Sequence, residues 1–514
     1  MANTQQIIGT WILLFIYAGF ILYFVIKGAL KTKSISDYAV GTINFSPAFV
    51  GFSLAVSMTS AATFIINPGL IAVYGISGVL SFGIFFPLAT MISLVVLTKS
   101  FRKFGQTVKA LTLADWIGIR YKSKGFALFM AFLSFLLITF IVLILVAITK
   151  VISKALNANE TMVLILIIVF VFGYMMFGGA NSLVYTNSIQ AVIMLIVAVI
   201  LLFSGYEYFK DGISGIFDKL TLIDPNLAKL TNPKSVLFRD YFEIIFVQLI
   251  VGFAVVCQPH IITKSFFLKE EKDVNKFLTT AILAEILFFS VAFVGIYARL
   301  TFPDLMANGV ALKTDGIIPA YVVQVFSQGC LPIVIGLIVI MGLISAGLST
   351  LEGLIQSLST TITSDIIKPL FGNKIKKEKS YIIINRFAIV LLAIISFYVS
   401  LEQLRNPKLS VAILAQNGVY AYFSVAFAPI LFGVFFKKGG IKAPLIASLT
   451  ALTTHFSIYY LLPFLVAKYG FDFGWFTKYL EGSVRNPAIA SATAILLSTL
   501  VGGIFLLLNK DEHE

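Results

Sequence analysis

Charge is scarce in this sequence. Of 514 residues, 12% are Asp, Glu, Lys or Arg, about half the roughly 25% typical of a soluble domain. That deficit excludes an ordinary water-soluble enzyme or binding module of this length. Cysteine is almost missing: Cys257 and Cys330 are the only two, and both sit in apolar runs, so a disulfide framework is excluded. Cys257 and His260 stand three apart, but no further ligand type clusters with them, and a metal centre of the usual spacing is not indicated. There is no G-x-x-x-x-G-K-[ST] loop, which argues against ATP-driven transport within this chain, and no H-E-x-x-H motif. No segment between apolar runs is long enough for a kinase, hydrolase or sensor domain. With no paired intramembrane catalytic residues either, the expectation is that the protein is not an enzyme.

What is present is apolar. Hydrophobic residues make up 59% of the chain, and the mean hydropathy is +0.97. Runs of about 18 or more apolar residues recur throughout, each long enough to cross a bilayer as a helix. They are continuous rather than alternating, which argues against a β-barrel. The fold class is therefore all-α and polytopic, with about 13 transmembrane helices. The predicted spans cover 7–28, 46–74, 78–97, 126–155, 162–177, 188–204, 242–262, 278–300, 331–366, 387–401, 410–436, 443–467 and 487–508.

The net charge is +14. Its basic residues lie in short loops, so it reads as the positive-inside rule in a lipid bilayer and not as a nucleic-acid surface. Lys27, Lys31 and Lys33 place the first loop in the cytoplasm. Lys264, Lys269, Lys272 and Lys276 do the same after the seventh span, and Lys368, Lys374, Lys376, Lys377 and Lys379 after the ninth. The expected protein is thus multi-pass in the cell membrane, with its N-terminus outside and its C-terminus cytoplasmic. Lys150 reads as a snorkelling interface residue. The segment T-L-A-D-W-I-G-I-R-Y reads as a short interfacial helix anchored by Trp116 and Tyr121. The loop 206–241 has room for a short helix but not for a domain.

Two spans are too polar for passive membrane helices. In the ninth, S-A-G-L-S-T-L-E-G-L-I-Q-S-L-S-T-T-I-T-S-D-I-I-K runs from Ser345 to Lys368. Ala346, Ser349 and Thr350 fall at i, i+3 and i+4 and share a face. Two hydroxyls and a freed carbonyl there form a hard-oxygen cluster suited to a desolvated monovalent cation, and such polarity in a membrane marks an ion or substrate path. Glu352 is the one carboxylate in the middle of that run. In the second span, S-M-T-S-A-A-T-F-I-I-N-P-G runs from Ser57 to Gly69, with Pro68 removing a backbone donor. Pattern alone leaves two readings of it: a packing helix with small residues at its interface, or a discontinuous helix whose freed carbonyls bind an ion. About 13 spans with polar patches in two of them are most simply a secondary transporter. A channel needs a continuous polar pore, and a membrane sensor needs a signalling domain.

Four motifs, in order and spacing, carry a resemblance: A-V-S-M-T-S-A-A-T-F-I-I-N-P-G in the second span, G-G-A-N-S-L-V-Y-T-N-S-I-Q before the sixth, C-Q-P-H-I-I-T-K ending the seventh, and A-G-L-S-T with S-D-I-I-K in the ninth. The chain resembles the sodium:solute symporter family, which includes sodium/proline, sodium/pantothenate and sodium/galactose symporters. The resemblance implies a LeuT-type 5+5 inverted repeat in a single transporter domain. The repeats would cover 46–208 and 241–436, with 7–28 and 440–509 peripheral. It implies sodium as the co-transported ion, held by the carbonyls of Val56, Thr59 and Ala346 and the hydroxyls of Ser349 and Thr350. A second sodium site in some members needs an Asp where this chain has Asn187, in Y-T-N-S-I-Q. Glu352 stands where the family has a small polar residue, so we expect the carboxylate to have moved between helices. It would bind a second cation, carry a proton, or be a neutral acid bonded to Asn187. A solute would lie near the bilayer middle, with Ser60, Thr63, Phe64, Phe253 and Asn417 as lining. Tryptophans that mark proline carriers are missing, with Ala62 and Val251 in their places. The pocket suits a small, partly apolar organic solute: a monocarboxylate or a neutral amino acid, with pantothenate-like acids behind them. A proton-coupled or exchange transporter of the same fold is the alternative.

Overall fold

The apolar runs form helices in the computed structural model of the chain. It describes residues 2–508 apart from 44, 109, 269, 373, 374, 376, 407–409 and 437–439, with only the backbone for 102–108. Ten helices are long and apolar enough to cross a membrane. They are α1 (Thr4–Ala29), α3 (Ile76–Phe101), α4 (Lys124–Leu156), α6 (Ala180–Phe203), α8 (Glu271–Thr301), α9 (Cys330–Phe371), α10 (Glu378–Arg405), α11 (Val411–Phe435), α12 (Lys442–Tyr469) and α13 (Pro487–Leu508). Two bent pairs complete the set to twelve. One is α2, Pro47–Met58 with Ala62–Tyr74, bent by 53°; the other is α7, Phe242–Cys257 with Pro259–Phe267, bent by 62°. The shorter α5 (Glu160–Met175) has 16 residues, about 24 Å of helix, so it falls short of a full span of about 30 Å. With it, every expected span is present as a helix.

Local chemistry fixes the ends. Asn3 and Gln6 form a reciprocal capping box at the start of α1. Ser46 caps α2, with Pro47 in the first turn where no donor is lost. Gly75 at φ +75° ends α2, and a side chain there would strike the Leu227 carbonyl. Pro429 inside α11 cannot bond the Val425 carbonyl, and Ser448 of α12 donates to it instead at 3.1 Å.

α9 lies in the middle, packed against α1, α2, α4, α6 and α10, while α12 and α13 pack on each other and on α11 at the periphery. Small residues set the closest approaches, as bilayer packing requires. A Cβ on Gly342 would meet Val197 of α6 at 2.5 Å, and one on Gly347 would meet Ile148 of α4 at 2.4 Å. The long loop holds a helix, Gly212–Ile223. It is tied down at its far end by Arg239 with Glu243 (2.6 Å) and by Asp240 with Lys478 (2.6 Å).

Several expectations need correction. α3 runs to Phe101 and α6 begins at Ala180, so the G-A-N-S-L-V-Y-T-N-S run is largely helix and not a link. The bend in α2 lies at 59–61 and not at Pro68. Pro68 lies inside the second half of α2, just after its π-helical stretch Ala62–Ile66. The helix Leu113–Arg120 exists, but Trp116 and Tyr121 are not interfacial anchors. Trp116 is fully buried against Phe101, and the Tyr121 hydroxyl donates to the Pro429 carbonyl at 2.6 Å. Lys150 is paired with Glu160 at 2.7 Å. Lys264 is not a loop residue but is buried inside the bundle. Lys269, Lys374 and Lys376 lie outside the described residues.

Gly342→Ala is expected to push α9 off α6, costing about 1–3 kcal/mol as overpacking does. It should lower the thermal midpoint of the detergent-purified protein. Gly503→Ala, with nothing within 4 Å of the new methyl, should leave the midpoint unchanged.

Candidate functional site

Backbone polar groups freed by a broken helix need partners that lipid cannot supply. The first half of α2 ends at Met58, and Thr59 follows with φ −98° and ψ 97°. Ser60 restarts the helix: its hydroxyl accepts from the Ala62 N–H at 3.0 Å and its carbonyl from the Thr63 N–H at 2.9 Å. Two hydroxyls of α9 meet the end of the first half. Ser349 Oγ donates to the carbonyls of Val56 (2.9 Å) and Ala346 (3.1 Å). Thr350 Oγ1 lies 3.3 Å from the Val56 carbonyl and 3.4 Å from that of Ser57. All of these residues are buried. A hydroxyl that turns its proton aside presents a lone pair, and the same oxygens then form a set of hard ligands for a small monovalent cation. Val56, Ala346, Ser349 and Thr350 are thus brought together. Thr59 sits three residues on, its hydroxyl closed back on the Ala55 carbonyl at 2.6 Å. Its own carbonyl takes no bond from Ser349 or Thr350.

Glu352 is fully buried one turn along α9. Its carboxylate accepts from Tyr174 Oη at 2.5 Å, Thr186 Oγ1 at 2.8 Å and Gln190 Nε2 at 3.3 Å. It does not bond to Asn187, which removes the acid–amide pair from the three alternatives considered for Glu352. Asn187 Nδ2 instead donates to Ser53 Oγ (3.0 Å) and lies 3.4 Å from Ser57 Oγ. Ser53 Oγ also accepts from Lys264 Nζ at 3.1 Å. Lys264 is 2% exposed. Sequence reasoning missed this lysine because it closes a motif followed by a basic loop. The available signal was Pro259: it restarts α7 after Gln258, which turns the chain at φ −73° and ψ 138°, and the new helix carries Lys264 back into the bundle.

Between the two breaks lies a small cavity of about 90 Å³. Ser57, Ser60 and Thr63 of α2 line it, as do Gln258 and His260 of α7 and Gln416 and Tyr420 of α11. Phe82, Phe86, Phe140 and Phe289 supply apolar walls. Gln258 Oε1 and both ring nitrogens of His260 are buried with no partner among the described residues. They offer hydrogen bonds that a solute can take up. Among the described residues the lining carries no Lys or Arg. Of the expected lining, Ser60 and Thr63 stand in the wall. Phe64 does not: it is fully buried with its ring against Phe288 at 5.7 Å. Phe253 packs on Phe427 at 6.1 Å. Asn417 turns away to α12, donating to Tyr460 Oη at 2.7 Å and pairing with His455 Nε2 at 3.0 Å. The missed residues Gln258 and Gln416 carried a signal, as amides in apolar spans.

Two broken helices around a cavity, with freed carbonyls met by hydroxyls of a third helix, are the arrangement of a secondary transporter. The chain belongs to the sodium:solute symporter family, whose model matches residues 38–450. It is a multi-pass membrane protein, and sodium is the ion moved with a small solute. It is 25% identical to the sodium/pantothenate symporter of Haemophilus influenzae over 434 residues, covering 83% of this chain and 84% of that one. It is 23% identical to the sodium/proline symporter of Staphylococcus aureus strain Newman over 472 residues, covering 88% and 86%. A substrate-bound, outward-open sodium-coupled sialic acid symporter superposes with a TM-score of 0.73 at 16% identity, over 97% of this chain and 98% of that one. The fold is therefore the LeuT-type arrangement expected.

Truncating Glu352 leaves three buried donors facing an empty space. Glu352→Ala should cost about 3 kcal/mol or more and lower the thermal midpoint clearly. Glu352→Gln keeps one acceptor and should lose less. Equal midpoints for the wild type and Glu352→Ala would contradict the described network.

Proposed function

We propose that this protein imports a small, partly apolar organic acid or neutral amino acid together with one sodium ion by alternating access across the cell membrane. The observation that carries the reading is the contact of Ser349 and Thr350 with the Val56 carbonyl at the end of a broken helix. Sodium takes the place of these hydrogen bonds, each hydroxyl keeping its proton, turning it aside and offering a lone pair, with Ala346 as a further ligand and Thr59 joining when its carbonyl turns inward. Occupation by sodium ties α9 to the first half of α2, and so favours one arrangement of the bundle over another.

The solute is read from the wall. Four phenylalanines flanked by Ser60, Thr63, Gln258 and His260 suit a ligand with one apolar body and a few hydrogen-bonding groups. A hydroxyl-rich sugar would leave several groups unpaired against these rings. A small monocarboxylate or neutral amino acid matches better, with a pantothenate-type acid behind them, and a relative named for pantothenate supports the acid. With no cationic side chain in the described lining, a solute carboxylate would be met by half-helix N-termini or by the sodium ion itself. The separate partners of Glu352 and Asn187 favour one sodium per cycle over two. The repeats run over 46–208 and 241–436, and the basic loops support an outer N-terminus.

Proteoliposomes with an inward sodium gradient, offered a panel of labelled monocarboxylates, amino acids and pantothenate, test the reading. At least one such solute should accumulate with sodium, and none with potassium. Ser349→Ala combined with Thr350→Ala should raise the half-saturating sodium concentration at least about tenfold, about 1.4 kcal/mol of ion binding. Unaltered sodium affinity in that variant rejects the site.

A further inference from the structure

Glu285 has no place in the sodium site or the cavity wall, yet it is fully buried in α8. Neither of its carboxylate oxygens has a hydrogen-bond partner among the described residues. Glu352, by contrast, receives three donors. Contacts along α2 fix the height of Glu285. A Cβ on Gly51 would touch the Phe277 carbonyl and Thr280, the Phe64 ring packs on Phe288, and a Cβ on Gly295 would touch the Pro68 carbonyl and Ile71. The two helices run side by side in the same direction. Glu285, between Thr280 and Phe288, therefore lies level with the break in α2. Phe289, one turn further along, is in the cavity wall and packs on Phe86 at 6.2 Å.

Among the described residues no counter-ion bonds to Glu285. α8 packs against α2, α3, α6 and the helix Ile317–Val325. α2 and α6 contain no Asp, Glu, Lys, Arg or His; Tyr185 stacks on Phe24 and meets Phe45, and Tyr74 packs on Phe238. Tyr321 of the helix Ile317–Val325 is bonded to Ser204. On α3, Lys99 is exposed at the far end. On α8 itself Lys276 is exposed about 13 Å of helix away, and Glu271, Lys272 and Asp273 stand at its start, at least about 18 Å away. An ionised carboxylate there, without donor or cation, costs several kcal/mol. The group is accordingly a neutral acid in this arrangement. A structural acid would spend its proton on an acceptor, and this one has none to bond.

We propose that Glu285 is a proton-binding site of the transport cycle. Its carboxyl keeps the proton while α2 and α8 are packed as described. When the break in α2 rearranges and cavity water reaches the group, the O–H bond breaks and the proton passes to that water; repacking restores it. The site then adds a proton to the ions whose binding follows the conformation of α2.

Infrared difference spectra of the full-length protein in lipid test this directly, with perfusion between sodium and choline buffers from about pH 5 to about pH 10. The wild type should show the high-frequency carbonyl band of an unbonded carboxyl. Glu285→Gln should lack it and Glu352→Gln should keep it. Its intensity should fall roughly twofold or more across the pH series or on exchange of the ions. Should Glu285→Gln not yield folded protein, Glu285→Asp serves, shifting the band instead of removing it. A wild-type band of full intensity under every condition overturns the proposal, as does a band indifferent to substitution at Glu285. The inference rests on alternating access, yet the two fail separately. Wild-type protein that accumulates no solute with sodium defeats the transport reading, while a fixed band beside intact sodium-driven uptake defeats only the proton site.

Discussion

The structure depends on one constraint: in lipid, a backbone carbonyl freed by a broken helix must find a partner inside the protein. Breaking α2 after Met58 leaves the Val56 and Ser57 carbonyls without a continuing helix to bond. Ser349 and Thr350 supply hydroxyls to them from α9. Those hydroxyls exist at the centre of an apolar helix only because of the break, and the break is tolerable only because of them. The central position of α9 follows, with Gly342 and Gly347 letting α6 and α4 come close enough to hold it there. A contact that must be made by exchangeable hydroxyl protons is also one that a monovalent cation can replace without disturbing the packing.

The same first half of α2 carries a second network on another face. Ser53 accepts from both Lys264 and Asn187, so the first half of α2 is bonded through one hydroxyl to the second half of α7 and to α6. Lys264 brings an ammonium group into the bundle, held by the Ser53 hydroxyl. Glu352 of α9 is held separately, by Tyr174, Thr186 and Gln190. Buried polar groups at a helix core need such partners, and each of the two has its own.

Apolar run length made the helices legible in the sequence, because a bilayer imposes a minimum length that few other constraints imitate. The face shared by Ala346, Ser349 and Thr350 was legible too, since helical periodicity alone brings those residues together. What the sequence hid was set by three-dimensional context. The break in α2 fell at Thr59–Ala61, where small polar residues allow it, and not at the more visible Pro68, which follows a π-helical stretch inside the second half. Asn417 looked like a cavity residue because it lies in a central span, but one helix face of α11 looks toward α12, and its partners His455 and Tyr460 are far along the chain. Lys264 was assigned to a loop by its basic neighbours, although the helix restarted by Pro259 carries it inward.

Ser57 is where these networks meet. Its carbonyl is shared with Thr350 beside that of Val56. Its hydroxyl donates to the Ser53 carbonyl at 2.8 Å and lies within reach of Asn187, and the residue also lines the cavity. A shift of the first half of α2 that moves the Val56 carbonyl against Ser349 and Thr350 must therefore move the Ser53 hydroxyl that holds Lys264 and the wall of the cavity. Coupling between two sites needs differential contacts in two states, and the turn from Ser53 to Ser57 carries all three sets of contacts. The Val56 carbonyl, the Ser53 hydroxyl and the cavity wall lie on different faces of the same turn of helix, so one movement alters all three.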